Sequence, residues 1–334
     1  MADLKIDITL ASSKPFPQVQ PLRVSYIMSF NMTCDYLTYE AAFYEYWNFL
    51  PNEVYTITIT PRAGNPFTFT GILHNVDVLS EARHQRLHFM SKHYLDLEQM
   101  TPLFGKGKTS DIIKSFYAKM GLTVSSATID DSTLSSSFCF PRNYDVRQAI
   151  TYLIQRSVTK DNGLMRTTVI GETGYVRSNL NGKQDLDGIF YTVSSIQDKR
   201  KEIDIDGGLT ITLIGDSAKQ NKIDLNMPGT SETLQNEFYS YTDTTMNKAL
   251  AQHYQLEKFY SNYTAVVGTP GCLPMVGSNF IIGSKDLNNG QVTGNQNFER
   301  ILNGKYFIHT QEVIVDFTKS YETSILGMEL VKAS

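Results

Sequence analysis

The sequence contains 334 residues, of which 41% are hydrophobic and 19% are charged. At about 100–200 residues per domain, this length predicts two or three domains, and the composition excludes intrinsic disorder. The 30 basic and 34 acidic residues give a net charge of −4. A protein that binds through phosphate neutralisation is usually basic, so we expect no sequence-specific nucleic-acid partner.

Targeting signals and cysteine chemistry are also constrained. The opening, MADLKIDITL, alternates polar with apolar residues, and no long apolar stretch follows, so we expect no signal peptide, no membrane anchor and folding in a cytosol.

The three cysteines, Cys34, Cys139 and Cys272, are odd in number and far apart in the sequence. This spacing fits neither a disulfide framework nor a zinc site, and we expect buried thiols.

Residues 1–103 show period-two alternation of apolar and polar side chains, which is typical of half-buried strands. They are predicted to form a first antiparallel β-barrel. The predicted strands are Leu4–Leu10, Leu22–Met32, Tyr55–Ile59, Phe67–Phe69 and Leu87–Phe89.

One helix is expected to interrupt these strands. In TYEAAFYEYWNFL, residues 38–50, Phe43, Tyr46, Trp47 and Leu50 share one helical face, and the proline that follows would end the helix.

Residues 104–188 are predicted to form a small α/β domain. Ser110 is placed to cap a helix that carries an apolar stripe and ends before Gly121, and a second helix is expected to start at Asn143 or Asp145. A hairpin should then turn between Gly171 and Gly174.

Strands return in residues 189–225 and 259–334, which we interpret as a second, similar β-barrel. The loop LNMPGTS, residues 225–231, is followed by a helix around 243–259, and residues 226–258 are interpreted as a helical insertion. Gly71 begins GILHNVDVL and Gly304 begins GKYFIHTQEVIV, each followed by a polar turn and another strand. This loose internal repeat favours two related β-domains.

Motifs that suggest chemistry have simpler explanations. GKGKTS at 105–110 lacks the first glycine of a phosphate-binding loop, and the turns DLDG and DIDGG lack the closing acidic ligand of a calcium loop. His84, His88 and His93 are close in sequence but lack the Glu of an HExxH motif. No GxSxG motif is present. We therefore expect no catalytic residue, no cofactor and no metal.

The order of several segments along the chain resembles that of a known protein family. FTFTGILHNVDV, SDIIKSFYAKMGLTV, NYDVRQAITYLIQRS and the final LNGKYFIHTQEVIVDFTKSYETSILGMEL resemble, in that order, the baseplate hub family of contractile phage tails, which is related to the hub half of type VI secretion spike proteins. The resemblance implies a β-rich α+β fold with two similar antiparallel β-barrel domains, a small α/β middle domain and a helical insertion.

The resemblance also implies a function. Such a chain would be a non-enzymatic virion protein of the tail baseplate, assembled in the host cytoplasm. Its homotrimer would adapt a sixfold tail tube to a threefold central spike beside other baseplate proteins. Because relatives that include the spike continue into a needle and this chain stops at Ser334, a separate spike protein is expected.

Two surfaces are expected to mediate assembly. In the resembling family the insertion faces the spike, which points to Tyr239, Tyr241, Leu250, Tyr254 and Leu256. Ile6 and Ile325 lie in the first and last strands, which we expect to be open sheet edges. Two alternatives stay open: another phage tail structural protein, such as a tube or receptor-binding subunit, and a β-rich carbohydrate-active enzyme.

Overall fold

The structure is a computed structural model. It describes Trp47, Phe49, Pro102, residues 4–45, 52–62, 66–79, 83–100, 104–187, 192–198, 208–214, 220–228, 232–235, 262–268, 276–282 and 304–333, and part of the stretch 249–257.

Most of the described strands belong to one 12-stranded sheet. Its first half is antiparallel throughout, in the order β1-β4-β5-β6-β3-β2. The strands of this half are β1 (Lys5–Leu10), β2 (Val19–Ser29), β3 (Tyr36–Phe43), β4 (Val54–Thr60), β5 (Phe67–Val78) and β6 (His84–Ser91). Alternate side chains of β3 and β4 are buried, as the sequence alternation predicts.

The helix predicted at 38–50 is wrong, because residues 36–43 form β3 between β2 and β6. Leu37, Tyr39, Ala41 and Phe43 are buried and their neighbours are not. The period-two pattern of this segment therefore determines its structure. The apolar face of the predicted helix combined Phe43, the last residue of β3, with Tyr46, Trp47 and Leu50, which follow the strand in the sequence.

Along the chain, the strands of the first half of the sheet are followed by a mixed α/β region. It contains α1 (Tyr94–Leu97), β7 (Phe104–Lys108), α2 (Thr109–Lys119), β8 (Ser135–Cys139), α3 (Val146–Ile154), β9 (Met165–Ile170) and β10 (Thr173–Ser178). We call this region the middle domain.

Both predicted helices and the hairpin of the middle domain are confirmed. Asp145 caps α3 in a capping box with Gln148, and Gly121 has the left-handed φ of 78° after α2. Ser110, however, lies inside α2 and not at its cap, which is Lys108. Its hydroxyl instead belongs to a buried set of hydrogen bonds with Ser132.

The second half of the sheet is formed by strands from the end of the chain and two earlier segments. Its strands are β11 (Asp185–Asp187), β12 (Thr192–Asp198), β16 (Asn262–Gly268), β17 (Asn279–Ile282), β18 (Gly304–Asp316) and β19 (Tyr321–Ala333). A separate three-stranded sheet contains β13 (Gly208–Ile214), β14 (Gln220–Pro228) and β15 (Glu232–Gln235). The loop predicted at 225–231 thus begins inside β14. The segment predicted as a helical insertion also contains a strand, β15, which pairs with β13.

The two halves are joined by β18, whose residues 310–316 pair with β2 and whose earlier residues pair with β17. The apolar core of the first half accordingly includes Val313 and Val315. The hairpin β5–β6 has a register shift at His74, and β18–β19 has two, one at His309 and one between Lys305 and Tyr306. The chain is therefore β-rich and largely antiparallel, as expected, and its division into two barrels stays a prediction.

Candidate assembly surfaces

The end strand β1 is the first candidate surface. It pairs with β4 along its length and has no partner on its other side among the described strands. Lys5, Asp7 and Thr9 are exposed, and Ile6 is half-buried against the core of the first half. Among the described strands it is therefore a sheet edge, as expected, and its role in subunit contacts stays a prediction.

The last strand is not an edge. Ile325 of β19 lies opposite Glu312 of β18 on one side and Val266 of β16 on the other. The expectation of an open edge at the end of the chain was wrong, because β16 returns to pair with β19. Chain ends need not lie at sheet ends, and sequence position alone could not distinguish the two strands.

The insertion is only partly described. Ala249, Leu250, Gln252, His253, Leu256 and Glu257 are helical, and Tyr239, Tyr241 and Tyr254 lie outside the described residues. Leu250 and Leu256 are buried within the subunit, at 0% and 1% exposure. Leu256 packs with Val158 and Leu164 of the middle domain. The expectation that Leu250 and Leu256 are exposed for a partner was therefore wrong, because both are buried in the subunit. The role of the segment in spike binding stays a prediction.

Exposed apolar side chains cluster in sequence on the middle domain. Met100 is 68% exposed and Phe104 is 74% exposed, and Phe104 pairs across the β7–β8 ribbon with Cys139, which is also exposed. The expectation of buried thiols is therefore confirmed for Cys34, wrong for Cys139 and outside the described residues for Cys272. Exposed apolar side chains of this size are a second candidate contact surface.

A buried ion pair joins the middle domain to the second half of the sheet. Arg166 of β9 donates to Glu329 of β19, and the two side chains are 15% and 1% exposed. Asn179 Nδ2 also donates to Glu329 Oε2 at 3.3 Å, and Arg166 donates to Asn31 after β2. In the sequence, the signal for this ion pair is that Glu329 occupies an inward position of an apolar strand. This signal does not identify Arg166 as its partner.

His309 lies beside this ion pair, at the register shift of β18. Its Nδ1 is 3.1 Å from Asn31 Nδ2 and 3.0 Å from Thr310 Oγ1. Burial, together with the nearby Arg166, lowers the pKa of His309 to about 3. Its ring faces Gly327, where an added Cβ would lie 2.7 Å from the ring, so a neutral imidazole is enclosed in the sheet.

The turn of the β9–β10 hairpin joins the middle domain to the first half of the sheet. The Gly171 amide donates to Asp35 Oδ2 at 3.1 Å, and Tyr26 Oη donates to the same oxygen at 2.6 Å. The neighbouring Glu172 is bound by Lys92 and His93, which follow β6. We call these contacts of residues 171–172 the hairpin latch. No local motif predicts them.

The motifs singled out in the sequence do not come together as a site. His88 contacts Asp77 and Tyr36 within the first half, and His93 belongs to the hairpin latch. GKGK forms β7, where Lys108 Nζ is 2.6 Å from Asp131, and DLDG begins as β11, where Asp185 is paired with Lys305. DIDGG lies outside the described residues, except for its last glycine.

Within the described residues, no group of His, Cys, Asp and Glu side chains could hold a metal ion. A crevice of about 340 Å³ lies where residues 30–33 meet α3 and β9. Its lining is mainly apolar, and its cation, Arg166, is already paired with Glu329. None of the described helices is both long and apolar enough to cross a membrane.

No protein-family profile and no curated protein matches the sequence. Solved structures do match the fold. A tail protein from Neisseria meningitidis MC58 aligns with a TM-score of 0.59 and 12% identity over 99% of this chain and 97% of that chain. The 43 kDa tail protein of prophage MuSo2 from Shewanella oneidensis aligns with a TM-score of 0.61 and 10% identity over 98% of both chains.

A third similar structure comes from a secretion system. It is an E. coli component of the type VI secretion system, described as structurally similar to the T4 bacteriophage tail proteins gp27 and gp5. It aligns with a TM-score of 0.56 and 8% identity over 97% of this chain and 76% of that chain. The resemblance inferred from the sequence is thus confirmed at the level of the fold: this chain has the fold of phage tail proteins and of a related type VI secretion component.

Proposed function

We propose that this chain is a non-enzymatic structural protein of a phage tail. The observation that carries the proposal is the extent of the structural likeness, which covers 99% of this chain in a Neisseria meningitidis tail protein and 98% in a prophage tail protein. Two of the features described above are consistent with assembly: an end strand without a neighbour among the described strands, and the exposed apolar side chains Met100 and Phe104.

The specific role we propose is that of a trimeric baseplate hub. Its subunit would present two similar β-domains, residues 1–103 and residues 189–225 with 259–334, on either side of the α/β domain predicted at 104–188. Three subunits would then offer six related units to a tail tube and three to a spike. The hairpins β5–β6 and β18–β19, with a register shift in each, support two related halves. The expected location is the tail baseplate of the virion.

Solution mass tests the trimer. The purified protein should have three times the subunit mass of 37.7 kDa, alone or after addition of its β-helical spike protein, in light scattering over a dilution series. Ring contacts can require the partner to form, so both conditions are needed. A monomer or dimer in both conditions would overturn the hub while leaving a different tail role open.

A further inference from the structure

The two halves of the 12-stranded sheet share one strand order. The first half has the order β1-β4-β5-β6-β3-β2, and the second half has the order β11-β17-β18-β19-β16-β12. When the strands of this sheet are counted along the chain within each half, both orders are first, fourth, fifth, sixth, third, second. The pairings differ only at the first strand, because β11 is parallel to β17 whereas β1 is antiparallel to β4.

The irregularities of the strand pairings also match. The fifth strands, β5 and β18, each skip one residue against the sixth strand, and these residues are His74 and His309. The second strands, β2 and β12, each skip one residue against the third strand, and these residues are Leu22 and Ser194. In both halves the fourth strand stops pairing two residues before the skipped histidine. Positions in one half can therefore be equated with positions in the other by counting from the skipped residues.

Inside the chain, the two halves are joined by a second strand and a fifth strand. After the skipped histidine, residues 310–316 of β18 pair with β2, on the same edge that pairs with β17 earlier in the strand. Val313 lies opposite Tyr26 in this pairing, and both side chains belong to the core of the first half. The Phe317 amide also donates to the Leu22 carbonyl at 3.0 Å. We call the pairing of β2 with β18 the internal seam.

The counterparts of the two seam strands each have a free edge. Residues 73–78 of β5 pair with β6 on one side only, since β4 stops pairing at Ile72. β12 pairs with β16 and has no second neighbour among the described strands. Val78, at the end of β5, is 65% exposed. An unpaired edge favours pairing with another chain, and inside this chain the same two kinds of edge pair with each other.

We infer that the end of β12 in one subunit pairs with the end of β5 in a second copy of this chain, in the register of the internal seam. Counted from the skipped residues, Val78 is the counterpart of Val313, and Asp198 is the counterpart of Tyr26. Val78 of one copy should therefore lie opposite Asp198 of the next copy.

This contact joins two different edges, so it is heterologous and produces either a closed ring or an open filament. Internal seams and contacts between copies would alternate around such a ring. The inference rests on the proposed function only for the number of copies, which is three in a trimeric hub.

Disulfide cross-linking of the full-length protein, with and without the spike protein, tests the register. The exposed Cys139 is first replaced by serine. Residues directly opposite each other in paired strands are within reach of a disulfide, so oxidised Val78→Cys/Asp198→Cys should give covalent dimers and trimers on a non-reducing gel. Thr68→Cys/Asp198→Cys is the matched control, because Thr68 is also exposed on β5 but already lies opposite Thr58 of β4. The control should stay largely monomeric on the gel.

A charge comparison tests the same contact without a cross-link. Val78→Asp would place a like charge opposite Asp198, and Val78→Lys would place an opposite charge there. Because Val78 is 65% exposed, both variants should melt like the parent. Light scattering over a dilution series should show that the Asp variant dissociates at a concentration about two- to fivefold higher than the Lys variant, as expected for a cross-strand charge pair.

The results separate this contact from the hub role. Trimers in light scattering that do not cross-link through Val78 and Asp198 would overturn the contact and leave the trimeric hub in place. Cross-linking through this pair into open chains, or into rings of another size, would support the contact and overturn the trimeric hub. Equal dissociation of the folded Asp and Lys variants would also contradict the contact.

Discussion

Asp35 places an almost fully buried carboxyl group where β2, the β9–β10 turn and the end of β6 meet. Its Oδ1 receives no hydrogen bond of normal geometry. Burial raises the pKa of Asp35, and the hydrogen bonds from Tyr26, Gly171 and Ser91 oppose this only in part. The folded chain therefore holds this proton more tightly than the unfolded chain does.

Replacing the carboxyl with an amide should stabilise the protein. In Asp35→Asn, the amide oxygen keeps both acceptor roles and no buried charge can form, so we expect the free energy of unfolding at neutral pH to rise by about 1 kcal/mol. Asp35→Ala should lower it by about 1–3 kcal/mol, because Tyr26 and the Gly171 amide lose their acceptor. Urea unfolding of the three proteins measures both changes.

The advantage of Asp35→Asn should depend on pH. Because the folded pKa of Asp35 is raised, the stability from this group is complete below its unfolded pKa of about 3.9 and is lost as pH rises through the folded pKa. The asparagine variant has no such loss, so its advantage should grow from about pH 4 to about pH 7. An advantage that shrinks over this range would contradict a raised pKa.

At the scale of elements, β1 and β19 differ in the number of their neighbours. β1 pairs with β4 alone among the described strands, whereas Ile325 in β19 has a partner strand on each side. A proline removes an amide donor and distorts the ladder. We expect Ile325→Pro to cost about 3–5 kcal/mol and Ile6→Pro to cost less, about 1–2 kcal/mol, as measured by thermal melting.

The same variants test whether the β1 edge mediates subunit contacts. If it does, Ile6→Pro should stay folded but fail to form trimers in light scattering, whereas the matched Ile6→Val should form them. Normal trimers from folded Ile6→Pro would remove β1 from the interface. If β1 serves only its own sheet, the proline variant should lose thermal stability with no separate assembly defect.

Local patterns predicted those elements whose stabilising interactions are local. α3 follows from the Asp145–Gln148 capping box and its apolar stripe, and the β9–β10 hairpin follows from the turn at Gly171. Residues 36–43 carried two competing periods, and the pairing of β3 with β2 and β6 selected the strand. Pairing partners are set by tertiary contacts, which a single segment does not encode.

At the scale of the whole molecule, the contacts that join its parts were not predictable. Arg166 and Glu329 are 163 residues apart, and the pairing of β2 with β18 links the two ends of the chain. Neither the ion pair nor the strand pairing can be recognised from a sequence motif, because each partner alone is an ordinary charged or apolar residue of a strand. The resemblance to tail hubs came instead from the order of many weak segments, which is preserved when individual residues diverge.

Residues of the predicted insertion are expected to differ in role, some stabilising the subunit and others contacting a spike. Leu256 is 1% exposed and packs on Val158 and Leu164, so Leu256→Ala should lower the free energy of unfolding by about 2–5 kcal/mol. Tyr239 and Tyr241 precede the helical stretch in the sequence and are our candidates for spike contact. The double variant Tyr239→Ala/Tyr241→Ala should melt like the parent.

Spike binding, measured by calorimetry, should distinguish the two kinds of residue. The double tyrosine variant should bind the spike at least about tenfold more weakly, since buried tyrosines commonly dominate interfaces. Leu256→Ala, measured well below its melting temperature, should bind nearly as the parent does, because its side chain faces the middle domain of its own subunit. Undiminished binding by a folded tyrosine variant would contradict the proposal that this segment contacts a spike.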